Sequence, residues 1–187
     1  DIARNIVAKC GMREAEREIQ YCEHHDITPV AADSDTYPRS LRCTNDFPAV
    51  LYVMGNVEAL NRRSIAFVGT RKASPYGQRM CNMLVRELAE IVPDVSIVSG
   101  LAFGIDSEIH RAALVENLVT VGVLANTLPS VSPASHRALA ADIISRGGAL
   151  VSELNSQTKQ NGNFYIPRNR IIAGIAAGTV VVETPES

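Results

Sequence analysis

The sequence predicts an α/β fold: three layers, with a mostly parallel sheet covered by helices on both faces. The first observation is alternation. From Ile65 onward, short apolar runs alternate with amphipathic helical patterns, which is the signature of βαβ units. The second is the character of those runs. AFV, SIV, TVGVL and TVVV are continuously apolar, as strands buried on both faces require. The third is punctuation, because Gly69, Gly100, Gly147-Gly148 and Gly178 close or open successive elements.

Taken in order, residues 1–26 read as amphipathic helix. Ile2, Ile6, Val7, Cys10, Ala15, Ile19 and Cys22 recur at helical spacing, and Gly11 interrupts them. Ile27–Ala32 is a short strand candidate, and DSDTYPRSL is turn-rich. Phe47-Pro48 favours extended backbone ahead of a second strand, Val50–Met54, closed by Gly55-Asn56. Strand Ile65–Val68 precedes helix Gln78–Val92, whose Met80, Leu84, Leu88 and Ile91 form a stripe. Strand Val95–Val98 precedes a helix over Asp106–Glu116. Strand Thr120–Leu124 leads through the loop Thr127–Ser135 to helix His136–Arg146. Strand Ala149–Ser152 leads through the polar loop Asn155–Asn163 to helix Arg168–Ala177 and strand Thr179–Glu183. Residues 1–36 are expected to be a helical appendage, or the remnant of a preceding domain, plus a linker. Residues 37–187 form the main domain. Both ends read as cut.

Composition bounds the function. The 187 residues are 46% hydrophobic and 20% charged, which suits a globular chain with a sizeable core. Trp is absent and aromatics are 5%, so that core must be aliphatic. With 18 Lys and Arg against 20 Asp and Glu, the net charge is −2. This excludes a polybasic nucleic-acid binder and requires any such site to be a local basic patch. Cys10, Cys22, Cys43 and Cys81 lack CxxC spacing, so no metal site is expected, and the usage fits a reducing cytoplasm. No apolar run reaches the roughly 18 residues of a membrane span, and the first residues do not resemble a signal peptide.

Ligands of open parallel sheets bind at the carboxyl ends of the strands. One such edge gathers Gly69, Thr70, Arg71 and Lys72 after the first βα strand, and Ser99, Gly100, Phe103 and Gly104 after the second. In SIAFVGTRKAS a strand stops at Gly69 and hands over to a helix, a geometry that can hold a phosphate on open backbone N–H groups. SGLAFGID supplies glycines where backbone passes close to a ligand or adopts positive φ, but its spacing is not GxGxxG, so a dinucleotide fingerprint is unsupported. Asp106 is either a helix cap or a ligand contact. His110, four residues on, is in reach of a hydrogen bond to it or of an acid–base role.

FYIPRNRIIAG places Arg168, Asn169 and Arg170 at a predicted helix start, where cations oppose the helix dipole. Something anionic must compensate, either Glu153 or Glu183 internally or a bound phosphate backbone. Ser74, Ser99 and Ser152 have no evident His/Asp partner, and GxSxG, Walker A, HExxH and Mg²⁺-binding carboxylate clusters are absent. The residues therefore describe a phosphate-binding surface, with no enzymatic activity and no cofactor expected.

YPRSL, PAVLYVMGN, IAFVGTRKASPYG, SGLAFGIDSEIH, LVSEL, FYIPRNRIIAG and VVVET, in this order over Tyr37–Glu183, resemble the DNA-processing protein A (DprA/Smf) family. The resemblance implies an extended Rossmann-like domain that binds single-stranded DNA, forms a homodimer and helps load the RecA recombinase in natural transformation. It implies Arg71 as the leading phosphate contact with Lys72 beside it, joined by Ser99, Gly100 and Gly104 and by Arg168, Asn169 and Arg170. Many members carry a cation where this chain has Phe103, which either stacks on a base or belongs to the core. TLPSVSP stands where the family usually reads GLD..YP, and the chain stops before the Ser-Gly that normally follows Glu183. Two other readings remain open. One is a nucleotide-processing hydrolase resembling the LOG family, whose PGGxGTxxE pattern is absent here. The other is a recombinase-recruiting scaffold with weak DNA binding.

Overall fold

The computed structural model describes residues 11–159 and 162–184. The predicted helical positions Ile2, Ile6, Val7 and Cys10 lie outside them. The elements are α1 (Met12–His24), β1 (Ile27–Ala31), α2 (Arg39–Arg42), β2 (Val50–Gly55), β3 (Ser64–Gly69), α3 (Pro75–Ile91) and β4 (Ser96–Ser99). They continue with α4 (Ile105–Val115), β5 (Thr120–Val123), α5 (Arg137–Ser145), β6 (Ala149–Ser152), α6 (Tyr165–Ile175) and β7 (Gly178–Glu183). A 3-10 turn, Val57–Asn61, links β2 to β3.

The seven strands form one sheet in the order β1-β2-β6-β5-β4-β3-β7. β6, β5, β4, β3 and β7 pair in parallel, and β2 runs antiparallel to both β6 and β1. The predicted mostly parallel, three-layer α/β architecture is therefore present. Strand residues alternate between two apolar layers. Val53, Ala66, Val98, Val121 and Val151 face α2, α6 and the 3-10 turn through Leu41, Ile171, Ile175 and Leu60. Ile97 and Phe67 face α3 and α4 through Cys81, Val85, Ile105 and Ile109. Leu150 faces α5 and α1 through Ile143, Leu139 and Cys22. All residues of β4, β5 and β6 are buried, as their continuous apolar runs predict.

Three expectations need adjustment. Residues 12–31 do not stand apart from the main domain, because β1 pairs with β2 over Ile27–Ala31 and Cys22 and Ile27 are buried in the shared core. β7 is not a doubly buried strand: its TVVV run pairs only with β3, at the sheet's edge, which leaves Val181 58% exposed. The helix after β6 begins at Tyr165 rather than Arg168, so Arg168 lies a turn inside it.

Chain order runs β3, β4, β5, β6 in one direction across the sheet, then returns past β3 to β7 by way of α6 on the other face. The winding reverses at β3, and the loops that follow β3, β4 and β6 meet there. That is where an open α/β sheet forms its crevice.

Candidate nucleic-acid interface

The helix start that follows β3 is already filled by a carboxylate. Ser74 caps α3, its Oγ accepting from the Gly77 N–H at 3.1 Å. The Ser74 N–H in turn donates to Glu183 Oε2 at 2.9 Å. These Ser74 contacts hold the Glu183 carboxyl below its ordinary value, as expected of an anion at a helix N-terminus. The anion predicted at this turn is thus the side chain that ends β7, which corrects the simple phosphate-cradle reading of SIAFVGTRKAS. Gly77 leaves room for the same contact, since a Cβ there would overlap the Glu183 carboxylate unless that side chain shifted.

Gly104, Gly69 and Gly100 likewise sit close to neighbouring backbone or side chains. Gly104 has φ +76, and a Cβ there would strike the Thr70 carbonyl and the Arg71 backbone. The Ile105 N–H donates to that carbonyl at 3.1 Å, so the turns after β3 and β4 are fastened together. A Cβ at Gly69 would lie 2.6 Å from Ile105 Cγ1 and 2.8 Å from the Glu183 carbonyl. Gly100 leaves room for the Asp106 and Arg168 side chains, both of which a Cβ would meet. The close approach that these glycines permit is to neighbouring protein.

Beneath the rim lies a buried polar layer. Arg168 is 4% exposed and donates through Nη1 to the Gly100 carbonyl at 2.7 Å and to the Val123 carbonyl. It ties the ends of β4 and β5 to α6. Burial lowers its affinity for a proton, and the Asp106 charge opposes that shift. Burial pushes the Asp106 carboxyl up, against the pull of Arg168 and of the Ala102 N–H at 3.4 Å. Asp106 does not cap α4, because Gly104 occupies the cap position. Nor does it bond His110. The Thr120 hydroxyl donates to the Ile97 carbonyl at 3.0 Å and accepts from His110 Nδ1 at 2.7 Å, so the imidazole is neutral with its proton on Nδ1. Burial, with Arg168 and then His136 nearby, lowers the His110 pKa to about 3.

Ser99 is fully buried and donates to the Phe67 carbonyl at 2.7 Å, and its side chain also hydrogen-bonds the Asp106 carboxyl, so its hydroxyl is engaged within the protein. Arg170 pairs with Glu153 through Nη1 at 3.1 Å and Nη2 at 2.6 Å, and with Asp46 through Nε at 3.2 Å. The internal ion-pair reading therefore holds for Arg170, with Glu153 and not Glu183 as partner. Three residues predicted at the rim, Ser99, Arg168 and Arg170, support it from within.

What remains outward is smaller and better defined. Arg71 and Lys72 are exposed, and the Lys72 N–H donates to Thr70 Oγ1 at 3.2 Å, which shapes the turn. The Arg71 guanidinium lies 4.7 Å from the centre of the Tyr165 ring, in cation–π range. Residues Val68, Gly69, Arg71, Ala102, Asp106 and Tyr165, with the start of α6, line a cleft of about 130 Å³. Asn169 is exposed beside it. Phe103 is 52% exposed and meets His136 edge to face at 5.1 Å, so it is not a core residue. His136 donates to the Leu101 carbonyl at 2.9 Å, and Leu101 holds φ 56, a costly conformation for a leucine that is over-determined here by its burial. Sequence reasoning missed Tyr165. The signal was available in FYIPRNR, where an aromatic stands three residues before the buried arginine. Among the described residues no group of three or more His, Cys, Asp or Glu is placed to hold a metal ion, and no helix is long and apolar enough to cross a membrane.

Fold and site define a three-layer α/β protein with a cation and aromatic rings on the carboxyl edge of its sheet. The chain belongs to the DNA recombination-mediator protein A family, whose profile matches residues 28–187. It is 42% identical over 160 residues to Protein Smf of Escherichia coli, covering 86% of this chain and 42% of that protein. It is 35% identical over 161 residues to the DNA processing protein DprA of Bacillus subtilis, covering 86% and 53% respectively. It thus spans about half the length of these relatives or less. The crystal structure of Streptococcus pneumoniae DNA processing protein A superposes with a TM-score of 0.76 at 31% identity, over 83% of this chain and 53% of that one. The Helicobacter pylori DNA processing protein A, described for its single-stranded DNA binding mode, shares the fold with a TM-score of 0.71 at 24% identity, over 84% and 69%.

Proposed function

We propose that this chain binds single-stranded DNA along the carboxyl edge of its sheet, without catalysing a reaction on it, and acts in DNA processing by helping to load the RecA recombinase. The observation that carries this reading is Arg71, an exposed guanidinium over the Tyr165 ring at the junction of three strand ends. A cation beside aromatic faces suits a strand whose phosphates and bases are both accessible, and it favours no particular sequence. Gly69, Thr70 and Lys72 shape the turn. Gly100 and Gly104 hold the facing turn against it, and Phe103 and Asn169 extend the surface. Ser99, Arg168 and Arg170 fix the edge from below. Family membership supports the recombinational setting, and the Helicobacter pylori relative supports the choice of single-stranded DNA. A homodimer, a cytoplasmic location and RecA as partner belong to the same proposal.

Fluorescence anisotropy with labelled oligo-dT and a duplex of equal length tests the reading. Preference for the single strand is expected, with affinity falling as salt rises by a log–log slope of about −0.7 per phosphate contact. Equal affinity for duplex and single strand would overturn it. For the RecA step, acceleration of RecA filament formation on coated single strands is the expected readout.

A further inference from the structure

We propose a second docking groove, at the opposite edge of the sheet, for an acidic peptide segment of a partner protein. β3, β4 and β7 run parallel, so the residues just ahead of them share the amino-terminal edge. There Arg39, Arg62 and Arg63 line one groove of about 240 Å³. All three arginines are exposed, and among the described residues none is ion-paired. The one charged-group contact among them is Arg62 Nη2 donating to the Asp94 backbone carbonyl at 3.1 Å. Between them the lining is largely apolar, from Leu60, Ile175 and Ala177, with Ser40, Asn61 and Ser64 beside them. A neighbouring depression shares Arg62 and Arg63 and adds Ile91, which is 78% exposed, with Val92 and Pro93. The nearby carboxylates are Asp94 in that depression and Asp35 and Glu58 beyond Arg39.

The occupant follows from this chemistry. Three neighbouring cations with no ion-pair partner among the described residues repel one another and attract an anionic ligand. A nucleic acid strand would also need faces on which to stack its bases. The carboxyl edge offers Tyr165 and Phe103, whereas no aromatic residue lines this groove or its neighbour. Cationic walls around a largely apolar lining suit carboxylates interspersed with apolar side chains. β3 holds the two edges about 20 Å apart at roughly 3.3 Å per residue, so a strand on one edge and a peptide on the other do not compete.

The test uses a fluorescein-labelled peptide of repeating Glu-Asp-Leu triplets, with a Lys-Lys-Leu repeat as control, on the full chain and on the double variant Arg62→Glu, Arg63→Glu. The acidic peptide should bind the parent and lose about tenfold or more in the variant, as reversed charges at an interface require. The basic peptide should not bind the parent, and the melting temperature should be kept. Arg63→Ala alone should give an intermediate loss, which secures the result if the double variant is unstable. No binding of the acidic peptide, or binding unchanged by the substitutions, overturns the proposal. Loss of oligo-dT binding in place of peptide binding also overturns it, and assigns the groove to nucleic acid.

Discussion

Two arginine-bearing segments reach the same edge of the sheet and are used differently. The turn after β3 leaves Arg71 and Lys72 facing solvent, with Arg71 over Tyr165. In α6, Arg168 is buried against two strand-end carbonyls and Arg170 is held by Glu153 and Asp46. In sequence both segments look like phosphate-binding cations. What separates them is whether the fold already supplies the partner. Arg168 and Arg170 build the edge, whereas Arg71, with Lys72 beside it, is left to act on what lies beyond it.

The largest effect that could break this contrast is at Arg168. Arg168→Met keeps much of the side-chain volume but leaves Asp106 buried without its cation and frees two carbonyls. Loss of one partner of a buried charge pair costs about 3–5 kcal/mol, read as a lower urea midpoint. If Arg168 were a DNA contact only, the midpoint would stay and oligo-dT affinity alone would fall.

The next effect is an acid sensitivity that sharpens the same point. His110 lies under this layer with its pKa lowered from 6.5 to about 3, so the folded state resists a proton that the unfolded chain accepts. Its contribution to stability is intact above pH 6.5 and is lost progressively as pH falls towards about 3. His110→Gln should flatten the melting temperature against pH across that window. An unchanged slope would show that His110 does not control it.

A smaller effect is expected from Glu183→Gln, which weakens the contact at the start of α3. Its carboxyl lies below the ordinary value of 4.5, so the loss of stability should appear above pH 4.5 and vanish in acid, where the parent is protonated as well. Stability that is unaffected at neutral pH would mean that the carboxylate does not hold this helix end.

Much of the fold was legible because periodicity and glycine punctuation are local signals. The β6 boundaries, Ala149–Ser152, match the expected strand, and α4 is shifted by one residue. The placement of β1 was not legible, since joining the far edge of the sheet depends on its partner β2 and not on ITPVA itself. The exposure of β7 was hidden for the same reason, because no strand run states whether it lies at an edge. At the candidate site, the turn residues and the Glu153 partner of Arg170 could be anticipated. That Glu183 would reach Ser74 across 109 positions could not, and neither could the burial of Arg168.

The comparison between the two arginines admits a direct test. Salt titrations of oligo-dT anisotropy on Arg71→Ala and Arg170→Ala should differ sharply. Arg71→Ala is expected to weaken binding more than about tenfold and to flatten the log–log salt slope by about one phosphate contact. Arg170→Ala should leave that slope unchanged, whatever it does to thermal stability. A slope lost with Arg170 and kept with Arg71 would contradict the account.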